Sequence, residues 1–542
     1  MSDDNGPHTV PSGASPAARS TGTGRPGHTG HTTDSGDPGE AGRSTGTGRT
    51  FLGHPWGLAT LSGVEMWERF SFYGLQGILA YYLYYSVTAG GLGMDKEVAL
   101  SIVGAYGGLV YLTSVAGAWV ADRVLSAERS LFLSAVLIMI GHLSLSLLPG
   151  YTGLGVGLAC VAVGSGTLKT TSQVVLGSFY SEDDPRRDGG FSIYYVGVNI
   201  GALFGPLLTG TLWGWRGFHW GFGAAALLMF IGLVQYTLNR RGIIAEVGHT
   251  VANPLPRRQY LPWGVGAVVV VAVVVAVFAT GLVPLSQLAT SAAVVALVAA
   301  VVLWVQMHRS PLVTAPERAK LVGFIPMFLG SVVFWTVYQQ QFTTLAVYAD
   351  QRLNRSVFGH EVTPTVVQSI SPVFVIVFAG VAGALWTRLG DRQPTYPVKF
   401  GLGIILCGAA MLVLLPFAGG AANSTPMLAL AVLFLLFVFG ELLLSPVGNS
   451  LVTRLAPTAF PTRMFALWML SVSLGTALSG TVAGYYDPSD AGAERAFLLV
   501  MFLVSAVVGG VLLVLARPVN RLLAGGRAAV GAGSGAAGPD RR

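Results

Sequence analysis

The chain has 542 residues, of which 52% are hydrophobic and only 11% charged, against about 25% charged for an ordinary soluble protein. So few charges cannot clothe the two or three soluble domains that this length would otherwise make, which excludes a secreted enzyme or a nucleic-acid binder and points to a polytopic membrane protein. The basic balance, 32 Lys and Arg against 25 Asp and Glu, needs no anionic partner, because loops on the inner side of a membrane are rich in Lys and Arg.

Residues 1 to about 50 are Gly, Ser, Thr, Pro and His with almost no aliphatics, too polar to bury a core, and are expected to be a disordered cytoplasmic tail. They are not a signal peptide, since no apolar core follows a basic start. His8, His28 and His31 read as solvated rather than metal-bound. Apolar spans follow near 60–88, 98–120, 130–149, 151–180, 190–213, 218–239, 261–282, 285–307, 321–348, 363–388, 397–417, 426–452, 463–486 and 495–516. Each reaches the roughly 20 residues that a membrane-crossing helix needs. Placing the amino terminus inside puts about 25 of the Lys and Arg in cytoplasmic segments and about five outside (Lys96, Arg216, Arg352, Arg355 and Arg495), the bias expected of that orientation.

Spans seven and eight are almost pure Val, Ala and Leu at 265–278 and 292–305 and carry nothing that lines a polar path. They follow a basic loop, Arg240 to Arg258, and divide the remaining spans into six and six. The expected architecture is an all-α bundle of 6+6 transmembrane helices with an inserted two-helix hairpin: 51–240 as one six-helix bundle, 241–318 as loop and hairpin, 319–517 as the second bundle, and 518–542 as a disordered tail. Two such halves around a central site are the build of a secondary transporter. Cys160 and Cys407 sit in apolar stretches and read as small buried hydrophobes. No metal cluster, nucleophile–base set or phosphate loop is visible, so neither enzyme activity nor a cofactor is expected.

Five ionisable residues fall within spans: Glu65, Glu68, Arg69, Lys169 and Glu441. At roughly 2.5–3.5 kcal/mol each near mid-bilayer, they would together cost on the order of 12–17 kcal/mol unless paired around a wet cavity. In the first span, spacings of three and four put Glu65, Glu68 or Arg69, Phe72 or Tyr73, and Gln76 on one helical stripe. Two carboxylates flanking one guanidinium make a group whose proton occupancy is tunable. Lys169 stands alone among small residues, Gly164-Ser-Gly-Thr-Leu-Lys169, and Glu441 stands alone shortly before Pro446. One lies in each half, so the two can form a gating ion pair, or hold opposite ends of a zwitterion.

These residues carry a resemblance. Glu65-x-x-Glu68-Arg69-Phe70-x-x-Tyr73 resembles the ExxERFxYY signature of the proton-dependent oligopeptide transporter family, within the major facilitator superfamily. Phe191-Ser-Ile-Tyr194-Tyr195-Val-Gly-Val-Asn199-Ile-Gly201 is similar to that family's span-five signature. The Lys169 stretch and Gly440-Glu441-Leu-Leu-Leu-Ser-Pro446 match two further motifs, and Gly117-Ala-Trp-Val-Ala-Asp122-Arg123 resembles the general facilitator loop. The similarity covers about residues 52–517, and the extra hairpin is what bacterial members carry.

The resemblance implies import of di- and tripeptides or peptide-like compounds driven by protons; the expected setting is a bacterial plasma membrane, with a monomer whose termini, by span count and charge placement, are both cytoplasmic. It assigns Glu65, Glu68, Arg69 and Lys169 to proton coupling. The substrate site would be Tyr73, Gln76, Tyr111, Lys169, Asn199, Trp335, Gln339, Glu441 and Trp468, with Glu441 meeting the peptide amino group and Lys169 its carboxyl end. For Asn199 an interhelical hydrogen bond is the competing reading. The family commonly has Tyr at Phe72, Arg at Gln76, Glu at Gln339 and Pro-Asn at Thr170-Thr171. The amides Gln76 and Gln339 leave no orphan charge where the family forms a second ion pair and can still hydrogen-bond, and a narrower or altered substrate range is expected. The alternative is a facilitator carrier of another zwitterionic or drug-like cargo, possibly an exporter.

Overall fold

The computed structural model describes residues 50–525, apart from 182, 183, 185, 248, 249, 252 and 358. Both expected tails therefore fall mostly outside the described residues, with His8, His28 and His31. The first half comprises α1 (Trp56–Tyr84), α2 (Lys96–Arg123), α3 (Ala127–Leu147), α4 (Gly150–Ser178), α5 (Arg187–Arg216) and α6 (Phe218–Val247). The hairpin is α7 (Arg257–Ala279) and α8 (Leu288–Arg309). The second half comprises α9 (Ala315–Tyr338), α10 (Thr344–Gln351), α11 (Ile370–Leu389), α12 (Tyr396–Leu412), α13 (Met427–Leu455), α14 (Pro461–Ala483) and α15 (Ala491–Val514), followed by α16 (Ala516–Leu523). Two short hairpins, β1 (Thr50–Phe51) with β2 (His54–Pro55) and β3 (Ser356–Val357) with β4 (His360–Glu361), are antiparallel.

Among the described residues, 13 helical segments are long and apolar enough to cross a membrane. α1 is not one of them, because Glu65, Glu68, Arg69 and its tyrosines keep its hydropathy low. Its 29 residues nevertheless extend about 43 Å, and it packs along α5 and α6, completing the fourteen-span 6+6-plus-hairpin fold. This is a multi-pass membrane protein.

The span expected at 321–348 is present as one apolar segment, Ala315–Gln351, with a 3₁₀ turn, Gln339–Phe342, between α9 and α10. The turn is held by the buried Gln340. Its Nε2 donates to the carbonyls of Thr336 and Ser479 at 3.1 and 3.2 Å, and its Oε1 accepts from the hydroxyls of Thr343 and Thr344. An interior break is tolerated where side chains satisfy the freed groups. One expectation is corrected: the disordered arm expected from 518 begins instead inside α16. Ala516, Val519 and Leu523 form its buried face, and Leu522 and Leu523 close on Gly323 of α9. The Gly/Ala-rich composition that suggested disorder starts only at Ala524.

The halves meet mainly toward the end of the bundle where α1 finishes, the far end. There α2 crosses α14 so closely that a Cβ on Gly104 would strike the backbone of Gly480, and a Cβ on Gly480 the backbone of Leu100 and Gly104. Ser473 Oγ donates to the Gly108 carbonyl at 2.7 Å across the same crossing. Small residues are what allow helix backbones to touch in a membrane. α8 seats on this crossing: Ala289 N donates to Ser101 Oγ of α2 at 3.0 Å, and the Thr290 and Thr481 hydroxyls lie 3.1 Å apart. α7 stands outside the bundle with its valines exposed. Its Trp263 ring lies 4.5 Å from Trp119.

The far end is sealed between α1 and α10. Tyr84 and Tyr85 donate to the two carboxylate oxygens of Asp350 at 2.8 and 2.6 Å, and Tyr81 donates to the Ala346 carbonyl at 3.1 Å. At the near end, where α1 begins, Gln173 of α4 and Asn449 and Thr453 of α13 are exposed.

Candidate functional site

Between the halves lies a cleft with a cavity of about 510 Å³. Every residue that the sequence singled out for the site lines it, except Glu68. The helical stripe on α1 brings Glu65, Arg69, Tyr73 and Gln76 to the wall. Arg69 Nε lies 3.2 Å from Glu65 Oε1 and also contacts Glu68 Oε2. Glu68 sits behind Arg69 and is fully buried, while Glu65 and Arg69 are nearly so. The guanidinium carbon lies 5.1 Å from the Phe72 ring centroid. Removing one member of such a buried set leaves an uncompensated charge, typically a loss of about 3–5 kcal/mol, so the three residues form one unit.

Lys169 reaches the cleft from α4, whose small residues admit α2 at close range: a Cβ on Gly166 would strike the Val110 carbonyl and the Thr113 hydroxyl. Its Nζ lies 4.2 Å from the Tyr111 ring centroid, a cation–π distance. Glu441 enters from α13, five residues before Pro446. Its Oε2 accepts from Tyr338 at 2.6 Å. Among the described residues no ion pair joins Lys169 to Glu441.

Gln76 and Gln339 both face the cleft, and no hydrogen bond joins them. Gln339 Nε2 donates instead to Thr476 Oγ1 at 3.2 Å, because the 3₁₀ turn at the end of α9 aims it at α14. Asn199 Nδ2 donates to the Tyr195 carbonyl one turn back, at 2.9 Å. The bond is intrahelical, which corrects the interhelical reading and leaves Asn199 on the cavity wall. Tyr73 stacks on Phe342, with centroids 6.3 Å apart. Trp335 and Trp468 are walls, and Trp335 Nε1 has no hydrogen-bond partner.

Sequence reasoning did not nominate several lining residues: Tyr338, Phe342, Gln368, Ser371 and Asn449. Tyr338 was reachable, since it follows Trp335 by three residues and shares its face. Gln368 sits in a 3₁₀ segment, Pro364–Ser369, where helical periodicity gives no signal. No group of three or more His, Cys, Asp or Glu residues suited to a metal occurs among the described residues.

Two six-helix halves closing on a charge-bearing cleft, sealed at one end and accessible at the other, define a membrane carrier of the major facilitator fold. The chain belongs to the POT family, whose model matches residues 128–496. It is similar to the uncharacterized transporter YclF of Bacillus subtilis, 39% identical over 88% of this chain and 96% of the relative. It is also similar to a di-/tripeptide transporter of Lactococcus lactis subsp. cremoris, 37% identical over 88% and 98%. A crystal structure of the peptide transporter POT, a glutamate-to-glutamine mutant in complex with alafosfalin, matches with a TM-score of 0.82 at 39% identity, over 88% of this chain and 97% of that one.

Proposed function

We propose that this protein is a proton-coupled symporter that imports di- and tripeptides or peptide-like compounds by alternating access. The observation that carries the reading is the placement of one ammonium and one carboxylate on opposite walls of a single cleft, Lys169 from the first half and Glu441 from the second, beside the Glu65–Glu68–Arg69 cluster. A zwitterionic peptide offers complementary charges to both. Glu441 takes the amino end, Lys169 the carboxyl end, and Tyr73, Tyr111, Asn199, Trp335, Trp468 and the amides Gln76 and Gln339 line the space between.

The Glu65–Glu68–Arg69 cluster is the proton-coupling element. Its two carboxylates share one guanidinium, so a proton entering the cluster neutralises a charge that has no cation of its own. Each 100 mV of membrane potential contributes roughly 2.3 kcal/mol per proton, enough to concentrate a neutral peptide about fiftyfold. With both termini cytoplasmic in a bacterial plasma membrane, the accessible near end faces inward. The protein acts as a monomer, since one chain encloses the whole cleft.

The test is transport in proteoliposomes. Glu68→Gln abolishes proton-driven uptake of dialanine and spares counterflow exchange; persistence of both refutes the coupling role. The amides at Gln76 and Gln339 favour peptide-like cargo alongside peptides. Failure of dialanine to compete for binding redirects the reading to another zwitterion or drug-like compound.

A further inference from the structure

We infer that Tyr338 is a positioning residue that aims Glu441 at the amino group of the cargo and thereby sets the preference for substrates with a free amine. The inference rests on the peptide reading above. Tyr338 OH donates to Glu441 Oε2 at 2.6 Å, a short contact of the charge-assisted kind, and its other neighbour, Ser371 Oγ, is more distant at 3.4 Å.

The phenol has little freedom to follow a moving carboxylate. Its ring stacks on Phe334 with centroids 5.5 Å apart at 20°, meets Trp335 edge-on at 5.4 Å, and lies 5.4 Å from Phe437. Phe334 and Phe437 are completely buried. The aromatic cage therefore fixes the hydroxyl, and the hydroxyl fixes the carboxylate. With Oε2 engaged, Oε1 is the oxygen left to the cleft, and it takes no hydrogen bond from the described residues.

This arrangement has two effects. The Tyr338 hydroxyl on α9 holds Glu441 while the cleft is accessible, and no ion pair to Lys169 quenches either charge before cargo arrives. One carboxylate oxygen is also presented at a fixed place, which favours a cationic amine over a neutral group at that end of the cargo. A carboxylate on a flexible side chain, without the phenol, would spend its ordering entropy at each binding event.

The experiment compares two competitors on the full-length protein: dialanine and N-propionylalanine, which lacks only the α-amino group. Tyr338→Phe removes one oxygen and keeps the stacked ring. It is expected to weaken dialanine binding about tenfold, the equivalent of one hydrogen bond to a charged group, while N-propionylalanine changes less than about twofold. In a Glu441→Gln background the same substitution is expected to be silent, closing a double-mutant cycle. Equal weakening of the two compounds, no change in either, or an undiminished effect in Glu441→Gln overturns the inference. Binding of neither compound by the unaltered protein overturns the peptide reading itself, and this inference with it.

Discussion

The seal at the far end makes a quantitative prediction. Asp350 of α10 accepts from Tyr84 and Tyr85 of the opposite half at 2.8 and 2.6 Å, and these bonds exist only while α1 and α10 touch. Hydrogen bonds to a charged group contribute about 1.5–3 kcal/mol each. The three residues are partly exposed, so the lower figure applies, about 3 kcal/mol for the pair. Asp350→Ala removes both bonds at once. It should shift the equilibrium on the order of 100-fold toward the state in which the far end is parted.

Spin labels at Val87→Cys and Ser356→Cys, both exposed and on opposite sides of the seal, report the change as a longer distance population in pulsed electron resonance. The double variant Tyr84→Phe, Tyr85→Phe removes the donors instead of the acceptor and should reproduce it. Label distances that stay put in both variants would refute the assignment of these bonds as the lock.

Two further outcomes are expected. Gln76→Arg combined with Gln339→Glu should widen dipeptide uptake in liposomes, because both positions face the cleft and the pair restores charges that can be matched within it; an unchanged substrate panel defeats that idea. Gly480→Val places a side chain against the Leu100 carbonyl and the Gly104 backbone. Overpacking of this kind costs about 1–3 kcal/mol, so the detergent-solubilised variant should unfold at a lower temperature, and an undiminished melting point would show that α2 and α14 can part there without penalty.

Much of the fold was legible because lipid leaves a chain few options: long apolar runs become helices, and ionisable groups inside them must face one another or water. That logic marks the α1 stripe, Lys169 and Glu441, and all but Glu68 of these residues line one cavity. Glu68 departs because a stripe is a sector about 100° wide, and the helix turns its edge behind Arg69. Features made by polar side chains on the backbone were less legible. The turn at Gln339–Phe342 depends on Gln340 meeting a carbonyl on α14, 139 residues away, and the seal depends on Asp350 meeting tyrosines 265 and 266 residues away. Neither has a local pattern. α16 was missed for a different reason: eight residues are too few for periodicity to stand out from the composition that follows them.

The contact of Gly104 with Gly480 has a mechanical consequence. Backbone against backbone leaves no compressible padding between α2 and α14, so a tilt of one half against the other has to roll on that point, and displacement grows with the length of the lever arm. Gln76, whose amide lies close to Gly107 on the neighbouring turn, scarcely travels, whereas Gln173 and Asn449 at the mouth sweep the widest arc.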